Sequence, residues 1–245
     1  MIPAHKSDLI DRLLFPYFRR MGRRAFHTIA ARGLEHLRGL PGDRPVLLFC
    51  NHTNWWDGLI CYFLTKHMLP RKAYCMMEEK QLQHHRLFAR LGAFSVDLDH
   101  PVSAAVSLRY AKRLLKKNET ALWIFPQGKL CRPDEPIEIK PGAYYLAQST
   151  PQALLIPLAI RYEFFREDRP NALIEIGEPL SCEGLREERI AQDCEAAFAR
   201  VSLAAAQQNI SGFTRLFPPL WPINKRWEWV KRVATGRLSG FNPNN

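Results

Sequence analysis

Short runs of apolar residues alternate with longer segments of helical periodicity through most of the chain. The first run, residues 45–50, contains no polar side chain, which is typical of a strand covered on both faces. Strands that alternate with helices predict an α/β fold, with a mixed, mostly parallel sheet flanked by helices. Further strands are predicted at 73–77, 93–98, 120–125, 153–160 and 172–176, and helices at 56–68, 78–91, 102–117, 141–149 and 186–208.

Positive charge is concentrated at the two ends of the chain, whose net charge is +11. Residues 1–40 contain eight Lys or Arg against three Asp or Glu, and residues 213–245 contain six against one. Basic ends favour an anionic surface, such as nucleic acid, anionic lipid or an acidic carrier protein. We therefore expect basic amphipathic helices at 1–40, an α/β domain at 41–212, and a basic, tryptophan-rich segment at 213–245.

The N-terminal part has apolar residues at spacings of three and four, with arginines between them. Pro16 is expected to break or kink this segment, which gives a helical hairpin or a bent helix. Such a segment either packs on the domain or binds a membrane interface, and the same alternatives apply to the C-terminal segment. The candidate membrane-binding residues are Arg19, Arg20, Arg23, Arg24, Trp227 and Trp229, and Trp221 lies in the same C-terminal segment.

Several classes of protein are not expected from this composition. The longest purely apolar run, residues 153–160, is far shorter than the ~20 residues that span a bilayer. No signal peptide is evident, so a membrane-active chain of this kind is expected to be peripheral, on the cytoplasmic face.

The six cysteines form no Cys-x-x-Cys pair, which predicts free thiols. Nucleic acid is not an expected partner, because the basic residues accompany Trp, Leu and Phe and no recognition motif is present.

The segment 51–57 holds the first candidates for chemistry. His52 stands just past the first predicted strand and Asp57 near the start of the next helix, in the crevice where open α/β sheets build sites. A carboxylate on one imidazole nitrogen keeps the other nitrogen basic and aimed. A metal-dependent hydrolase is an alternative, but it would need further ligands nearby, and His84 and His85 lie on a polar helix. We therefore expect no metal.

Three further blocks accompany this pair. A Gly-x-x-x-x-Asp block runs from Gly92 to Asp97, and a Phe-Pro-Gln-Gly block covers residues 125–128. A hydrophobic block with an internal proline surrounds Pro157. In this order and at these separations, residues 44–180 resemble the glycerolipid acyltransferases, which include the lysophosphatidate (1-acylglycerol-3-phosphate) acyltransferases.

The resemblance implies transfer of a fatty acyl group from acyl-CoA or acyl-carrier protein to a hydroxyl of a lipid acceptor, without a cofactor. His52 would take the proton of that hydroxyl as general base, and Asp57 would orient its imidazole. The resemblance also implies attachment to the cytosolic membrane face through an N-terminal helical pair. Residues 7–38 of this chain are similar to such a pair. The residues predicted to bind substrate are Asn51, Asp97, Phe125, Pro126, Gln127, Gly128, Lys129, Lys140, Gly142 and Pro157.

Departures from the family pattern bear on the acceptor. Leu98 and Leu130 stand where the family has arginines that are expected to hold a phosphate, and Gln127 replaces an acid. Lys129, Lys140 and Arg132 are candidates for replacement charge. The acceptor is either a lysophospholipid or glycerophosphate held by lysine, or a phosphate-free lipid such as a glycolipid or carotenoid glycoside, and we favour the second. A catalytically weak lipid-binding relative is the alternative function, and the sequence leaves the oligomeric state open.

Overall fold

A computed structural model describes residues 1–218, 220 and 223–235, with the backbone alone at 224–226. In these residues the strands form a single sheet with helices packed on both faces, which confirms the predicted α/β class. Trp221 and residues 236–245 of the predicted C-terminal segment lie outside the described residues. No helix in the described ranges is both long and apolar enough to cross a bilayer.

The predicted strands are all present in the described part of the chain, and three short strands are added to them. In chain order the strands are β1 Thr28–Arg32, β2 Val46–Cys50, β3 Lys72–Glu78, β4 Ala93–Val96, β5 Thr120–Ile124, β6 Leu154–Glu163, β7 Asn171–Ile176, β8 Leu180–Ser181 and β9 Thr214–Arg215. The helices are α1 Asp8–Ala25, α2 Glu35–Arg38, α3 Asp57–Met68, α4 Glu79–His84, α5 Leu87–Leu91, α6 Pro101–Leu114, α7 Pro141–Gln148, α8 Glu187–Ala206 and α9 Ile223–Ala234. The helix predicted at 78–91 is therefore two helices, α4 and α5, with a turn between them.

The order of strands in the sheet is β4-β3-β5-β2-β6-β7-β1-β9, with β8 beside β6. The pairs β4–β3, β3–β5, β5–β2, β2–β6 and β7–β1 are parallel, whereas β6–β7, β6–β8 and β1–β9 are antiparallel. The sheet is thus mixed and mostly parallel, as predicted. Strand β2 lies between β5 and β6, and all five of its residues are buried, which explains its continuous apolar run.

Two apolar clusters cover the two faces of the sheet. Leu48 of β2 packs in one cluster with Phe18 of α1 and Phe63 of α3. Phe49, the next residue of β2, packs in the other cluster with Leu146 of α7. Because successive side chains of a strand point to opposite faces, β2 contributes to both clusters. The central strand, and the loop that follows it, are therefore held from both sides.

The N-terminal part differs from the prediction, because it is one helix followed by a strand. Pro16 is exposed and lies inside α1, so it does not separate two helices. The opposite side of α1 packs tightly on α3, where a Cβ added to Gly22 would lie 2.8 Å from the Phe63 ring. Such packing stabilises a helix beyond its intrinsic propensity, which accounts for its continuation through the proline.

Strand β1 removes the predicted boundary between residues 40 and 41. Residues 28–31 are buried, and β1 pairs in parallel with β7, with Thr28 opposite Asn171. The prediction that residues 1–40 are helical is therefore wrong for this stretch, which belongs to the sheet. The two alanines at its centre, Ala30 and Ala31, have low β propensity, so the sequence carries little sign of a strand.

The C-terminal segment is partly packed on the domain and partly exposed. Strand β9 pairs with β1, and Phe217 is buried with its ring 5.2 Å from that of Phe63. Helix α9 follows, and its Trp227 and Trp229 are exposed. Packing on the domain, one of the two predicted alternatives, thus applies to the first residues of this segment.

Gly92 joins α5 to β4 where the backbone passes close to β3. Its φ is +112°, and an added Cβ would lie 2.5 Å from the carbonyl oxygen of Ala73. Both the conformation and the available space therefore require glycine at the head of the Gly-x-x-x-x-Asp block.

Gly92→Ala is expected to lower the free energy of unfolding by about 1–3 kcal/mol, because alanine is strained at this φ and collides with β3. Urea unfolding followed by circular dichroism measures the change. Gly42→Ala is the matched control, since an added Cβ there meets nothing within 4 Å. Equal stability of the two variants would contradict this explanation of the block.

Candidate active site

The loop of residues 51–57 joins the carboxyl end of β2 to α3 at the centre of the sheet. Strands β4 and β5 run in the same direction as β2, so their carboxyl ends lie at the same edge. The block that ends at Asp97 follows β4, and the block at 125–128 follows β5. The topology of the sheet therefore brings three of the predicted blocks to one edge.

His52 and Asp57 form a direct hydrogen bond, with 2.8 Å between Nδ1 of His52 and Oδ2 of Asp57. An ionised carboxylate can only accept a hydrogen bond, so Nδ1 carries the proton and Nε2 is left with a lone pair. The Asp57 side chain is fully buried, whereas 24% of the His52 side chain is exposed. The pair thus combines an imidazole that a substrate can reach with a carboxylate that solvent cannot.

Uncharged donors surround the Asp57 carboxylate. Its Oδ2 also accepts hydrogen bonds from the N–H groups of Thr53, at 2.7 Å, and Asn54, at 2.8 Å. Its Oδ1 accepts a hydrogen bond of 2.6 Å from the hydroxyl of Tyr162. A proton that arrives on His52 therefore places its charge directly beside a carboxylate that these neutral donors already hold in place.

The block that follows β5 fixes the position of His52. The ring of Phe125 stacks on the imidazole, with the ring centroids 4.2 Å apart and the planes inclined by 18°. Oε1 of the buried Gln127 accepts a hydrogen bond of 2.8 Å from the backbone N–H of His52. The N–H of Cys131 donates to the carbonyl of His52, also at 2.8 Å. Gln127, predicted to bind substrate, braces the loop through this hydrogen bond, and a neutral amide suffices because its partner is an uncharged N–H.

Asn51 and Pro157, both predicted to bind substrate, have buried side chains. The Asn51 side chain accepts a hydrogen bond of 2.7 Å from the N–H of Ile160 and donates one of 3.0 Å to its carbonyl. It therefore prolongs the pairing of β2 with β6 beyond Cys50. Pro157 lies opposite Phe49 inside the sheet.

The loop after β4 places Asp97 and Leu98 at the rim of the site. Asp97 accepts hydrogen bonds from the N–H of Asp99, at 3.1 Å, and from Nδ1 of His100, at 2.8 Å. The hydrogen bond from His100 lowers the pKa of Asp97, whose carboxylate is thus engaged within its own loop. Leu98 is 51% exposed, and a Cβ added to Gly128 would lie 3.4 Å from it. An apolar side chain therefore adjoins the block after β5 where the resemblance implies an arginine.

Of the remaining predicted residues, the two lysines lie at the rim of the site and the glycine lies between two helices. Lys129 and Lys140 are both exposed. The N–H of Lys140 donates to the carbonyl of the buried Pro126 at 2.9 Å, which keeps this lysine next to the block after β5. Gly142 lies in α7, where an added Cβ would lie 3.4 Å from Leu108 of α6. Gly142, also predicted to bind substrate, thus lies where α7 contacts α6.

Burial argues against Cys50 as a nucleophile. Its side chain is 1% exposed, and burial raises the pKa of both Cys50 and Cys61. The negative charge of Asp57 raises both pKa values further, so neither thiol readily forms the thiolate that nucleophilic attack requires. All six cysteines are free. No group of three or more His, Cys, Asp or Glu side chains in the described ranges is placed to hold a metal ion.

Sequence reasoning missed Tyr162, the residue that joins Asp57 to β6. The strand was predicted to end at residue 160, whereas β6 continues to Glu163. Because side chains alternate along a strand, Tyr162 points to the same face as Ile160, which packs beside α3. That alternation indicates the face on which Tyr162 lies, but not its partner Asp57, which is 105 positions away.

The known proteins that are similar to this chain are acyltransferases. The model of the Acyltransferase family matches residues 28–161, which begin at the first residue of β1. A 1-acyl-sn-glycerol-3-phosphate acyltransferase of Streptococcus pneumoniae (strain ATCC BAA-255 / R6) is 28% identical over 144 residues. The match covers 56% of this chain and 51% of that protein, so the chain spans about half the length of this curated relative.

A solved structure has a similar fold. It is that of the 1-acyl-sn-glycerophosphate (LPA) acyltransferase PlsC from Thermotoga maritima, with a TM-score of 0.57 over 80% of this chain and 78% of that one. The sequence identity is 18%, so this likeness concerns the fold alone. The family match covers more than half of the chain and includes β1 to β5 and the loop that holds His52 and Asp57. The chain therefore belongs to the Acyltransferase family.

Proposed function

We propose that the protein transfers a fatty acyl group from an acyl thioester to a hydroxyl of a lipid acceptor. The observation that carries this proposal is the His52–Asp57 hydrogen bond at the carboxyl edge of the sheet, inside the range that the family model matches. The names of the S. pneumoniae and T. maritima proteins, both acyltransferases that act on acylated glycerophosphate, support it. The donor is acyl-CoA or acyl-carrier protein, since either presents the acyl group as a thioester.

The geometry suits general-base catalysis of acyl transfer. Nε2 of His52 removes the proton of the acceptor hydroxyl while that oxygen attacks the thioester carbonyl. The proton then rests on the imidazole, whose positive charge faces the Asp57 carboxylate. When the tetrahedral intermediate collapses, the C–S bond breaks and the proton passes from His52 to the departing sulfur. The products are an ester and a free thiol, and no covalent enzyme intermediate is needed.

The rim of the site favours an acceptor without a phosphate. Leu98 and Leu130 are 51% and 57% exposed, and both stand where the resemblance implies phosphate-binding arginines. Exposed apolar side chains supply no charge to a phosphate, and an uncharged acceptor such as a glycolipid or carotenoid glycoside needs none. The second candidate is a lysophospholipid or glycerophosphate held by the exposed Lys129 and Lys140. The buried, fully hydrogen-bonded Asp57 argues against a catalytically weak relative.

The surface of α1 supports peripheral attachment to the cytoplasmic face of an anionic membrane. Leu9, Leu13 and Tyr17 recur every four residues and are 68%, 68% and 61% exposed, which gives an apolar stripe along the helix. Basic residues accompany this stripe; Arg19, Arg20 and Arg24 are exposed, and Arg23 is half-buried.

The two basic ends of the chain also meet in the fold. The guanidinium of Arg169 donates to the carbonyl of Arg23 at the end of α1 and to the carbonyl of Leu220 before α9, each at 2.9 Å. The exposed Trp227 and Trp229 of α9 add the aromatic residues that are typical of a lipid interface. This neighbourhood supports one membrane-binding surface built from both ends.

His52→Ala is expected to lower acyl transfer at least about a thousandfold, because the general base is removed. Purified protein is incubated with a total lipid extract and labelled acyl-CoA, or in a second series labelled acyl-carrier protein, and the labelled lipid is identified. The exposed His84 gives the matched control, His84→Ala, which should keep full activity. Undiminished product from His52→Ala would refute the proposed mechanism.

Lysophosphatidate as sole acceptor is expected to react at least about tenfold more slowly than a monoglycosyl lipid, because leucines stand at the two positions where the resemblance implies phosphate-binding arginines. The double variant Leu98→Arg, Leu130→Arg should raise turnover of lysophosphatidate. Leu203→Arg, on an exposed leucine of α8, controls for the added charge. Fast turnover of lysophosphatidate by the unmodified protein would contradict a phosphate-free acceptor.

Leu9→Glu combined with Leu13→Glu is expected to reduce binding to vesicles of phosphatidylcholine and phosphatidylglycerol by about tenfold or more, because two apolar side chains no longer insert. Vesicle flotation measures the bound fraction. Leu203→Glu is the control, since Leu203 is similarly exposed, at 59%, on α8. Equal loss in both variants would show that charge, and not the α1 stripe, decides binding.

A further inference from the structure

The two carboxylate oxygens of Asp57 are held in different ways. Oδ2 accepts its three hydrogen bonds from His52, Thr53 and Asn54, which all belong to the same loop as Asp57 itself. Oδ1 accepts its hydrogen bond from Tyr162, which lies 105 residues away on β6. Tyr162 therefore supplies a contact that fastens the carboxylate to the sheet as well as to its own loop.

This second attachment adds a restraint on the direction of the carboxylate. The three hydrogen bonds at Oδ2 already oppose rotation about the Cβ–Cγ bond of Asp57, but all three come from its own loop. The hydroxyl of Tyr162, 2.6 Å from Oδ1, opposes that rotation. Because the Asp57 side chain is fully buried, solvent is not available to replace a missing donor at this oxygen.

Tyr162 is itself firmly placed. Its ring stacks on that of Phe26, with centroids 5.6 Å apart, and Phe26 in turn meets Trp56 of the catalytic loop at 5.0 Å. Two residues earlier on β6, the backbone of Ile160 is bound on both sides by the Asn51 amide. The loop and the end of β6 are thus linked at two points, one through Asn51 and one through Tyr162.

The groups that face the Tyr162 hydroxyl keep it a hydrogen-bond donor. They are the Asp57 carboxylate and, farther off, the thiols of Cys50 and Cys61. Burial, and after it the charge of Asp57, raises the pKa of Tyr162 well above its usual range. Burial also raises the pKa of both thiols, so they stay neutral. The phenol therefore remains protonated over the pH range of an enzyme assay.

We propose that Tyr162 is a positioning residue for acyl transfer: it holds Oδ1 of Asp57 and thereby fixes the direction in which Asp57 aims His52. The proposal rests on the proposed function of the His52–Asp57 pair. It concerns a residue that lies one position beyond the range 28–161 matched by the family model.

Tyr162→Phe is expected to lower kcat by roughly ten- to a hundredfold while leaving KM for both substrates nearly unchanged, because one hydrogen bond to a buried charge is lost. The acidic limb of the kcat/KM profile should move to higher pH. With one donor fewer, the buried carboxylate stabilises protonated His52 more strongly, and protonated His52 cannot act as base.

The chain contains a matched control in Tyr62. Its hydroxyl donates to Oδ1 of the buried Asp11 of α1 at the same distance, 2.6 Å, and it lies on α3 five residues after Asp57. Tyr62→Phe removes the same kind of hydrogen bond, so it should lower stability without moving the acidic limb or kcat per folded molecule. An equal effect of both variants on kcat and on the pH profile would overturn the proposal.

Two further measurements keep the test decisive if Tyr162→Phe folds poorly or the acceptor is misidentified. Replacement of Tyr162 by 3-fluorotyrosine keeps its shape and strengthens the donor, so the acidic limb should move to lower pH, and an unmoved limb refutes the role.

NMR of ¹⁵N-histidine, assigned with His52→Ala, reports the Nδ1 proton of His52 without any turnover. This resonance should shift in Tyr162→Phe and not in Tyr62→Phe, and no shift refutes the positioning role. Absence of acyl transfer from the unmodified protein would instead refute the proposed function.

Discussion

The buried carboxylate of Asp57 is the group on which the rest of the site depends. An ionised carboxylate removed from water is costly unless hydrogen bonds replace its hydration, and here four donors converge on it. Three donors require the loop after β2 to turn back on itself. The fourth, the hydroxyl of Tyr162, requires β6 to continue past the end of β2, and the Asn51 amide binds the two strands together there. The geometry of His52 therefore follows from how the fold satisfies one buried charge.

The residues inside the site and the residues at its rim are constrained differently by the fold. Phe125 and Asp57 hold the imidazole of His52, and Gln127 holds its backbone N–H, through contacts within the protein. Leu98 and Leu130 lie in exposed loops, where side chains can differ without disturbing the packed core. This separation explains how the His52–Asp57 pair can be complete while leucines replace the arginines that the resemblance implies.

The termini contribute more to the fold than their basic composition suggests. The N-terminal segment supplies a helix that packs on α3 and a strand inside the sheet, and β9 pairs with that strand. Arg169 then ties the end of α1 to the chain before α9. Two charged segments at opposite ends of the sequence thereby lie together, beside the exposed apolar stripe of α1.

The sequence by itself determined the fold class, the central strand and the His52–Asp57 pair, because each is encoded over a few neighbouring residues. A continuous apolar run specifies a doubly covered strand, and both members of the pair lie in one seven-residue loop. Only the tertiary structure decided the roles of Gln127 and Asn51, the membership of β1 in the sheet and the contact of Tyr162 with Asp57. Each of these depends on a hydrogen bond or a strand pairing between residues 75 to 143 positions apart, and local pattern does not reveal such pairings.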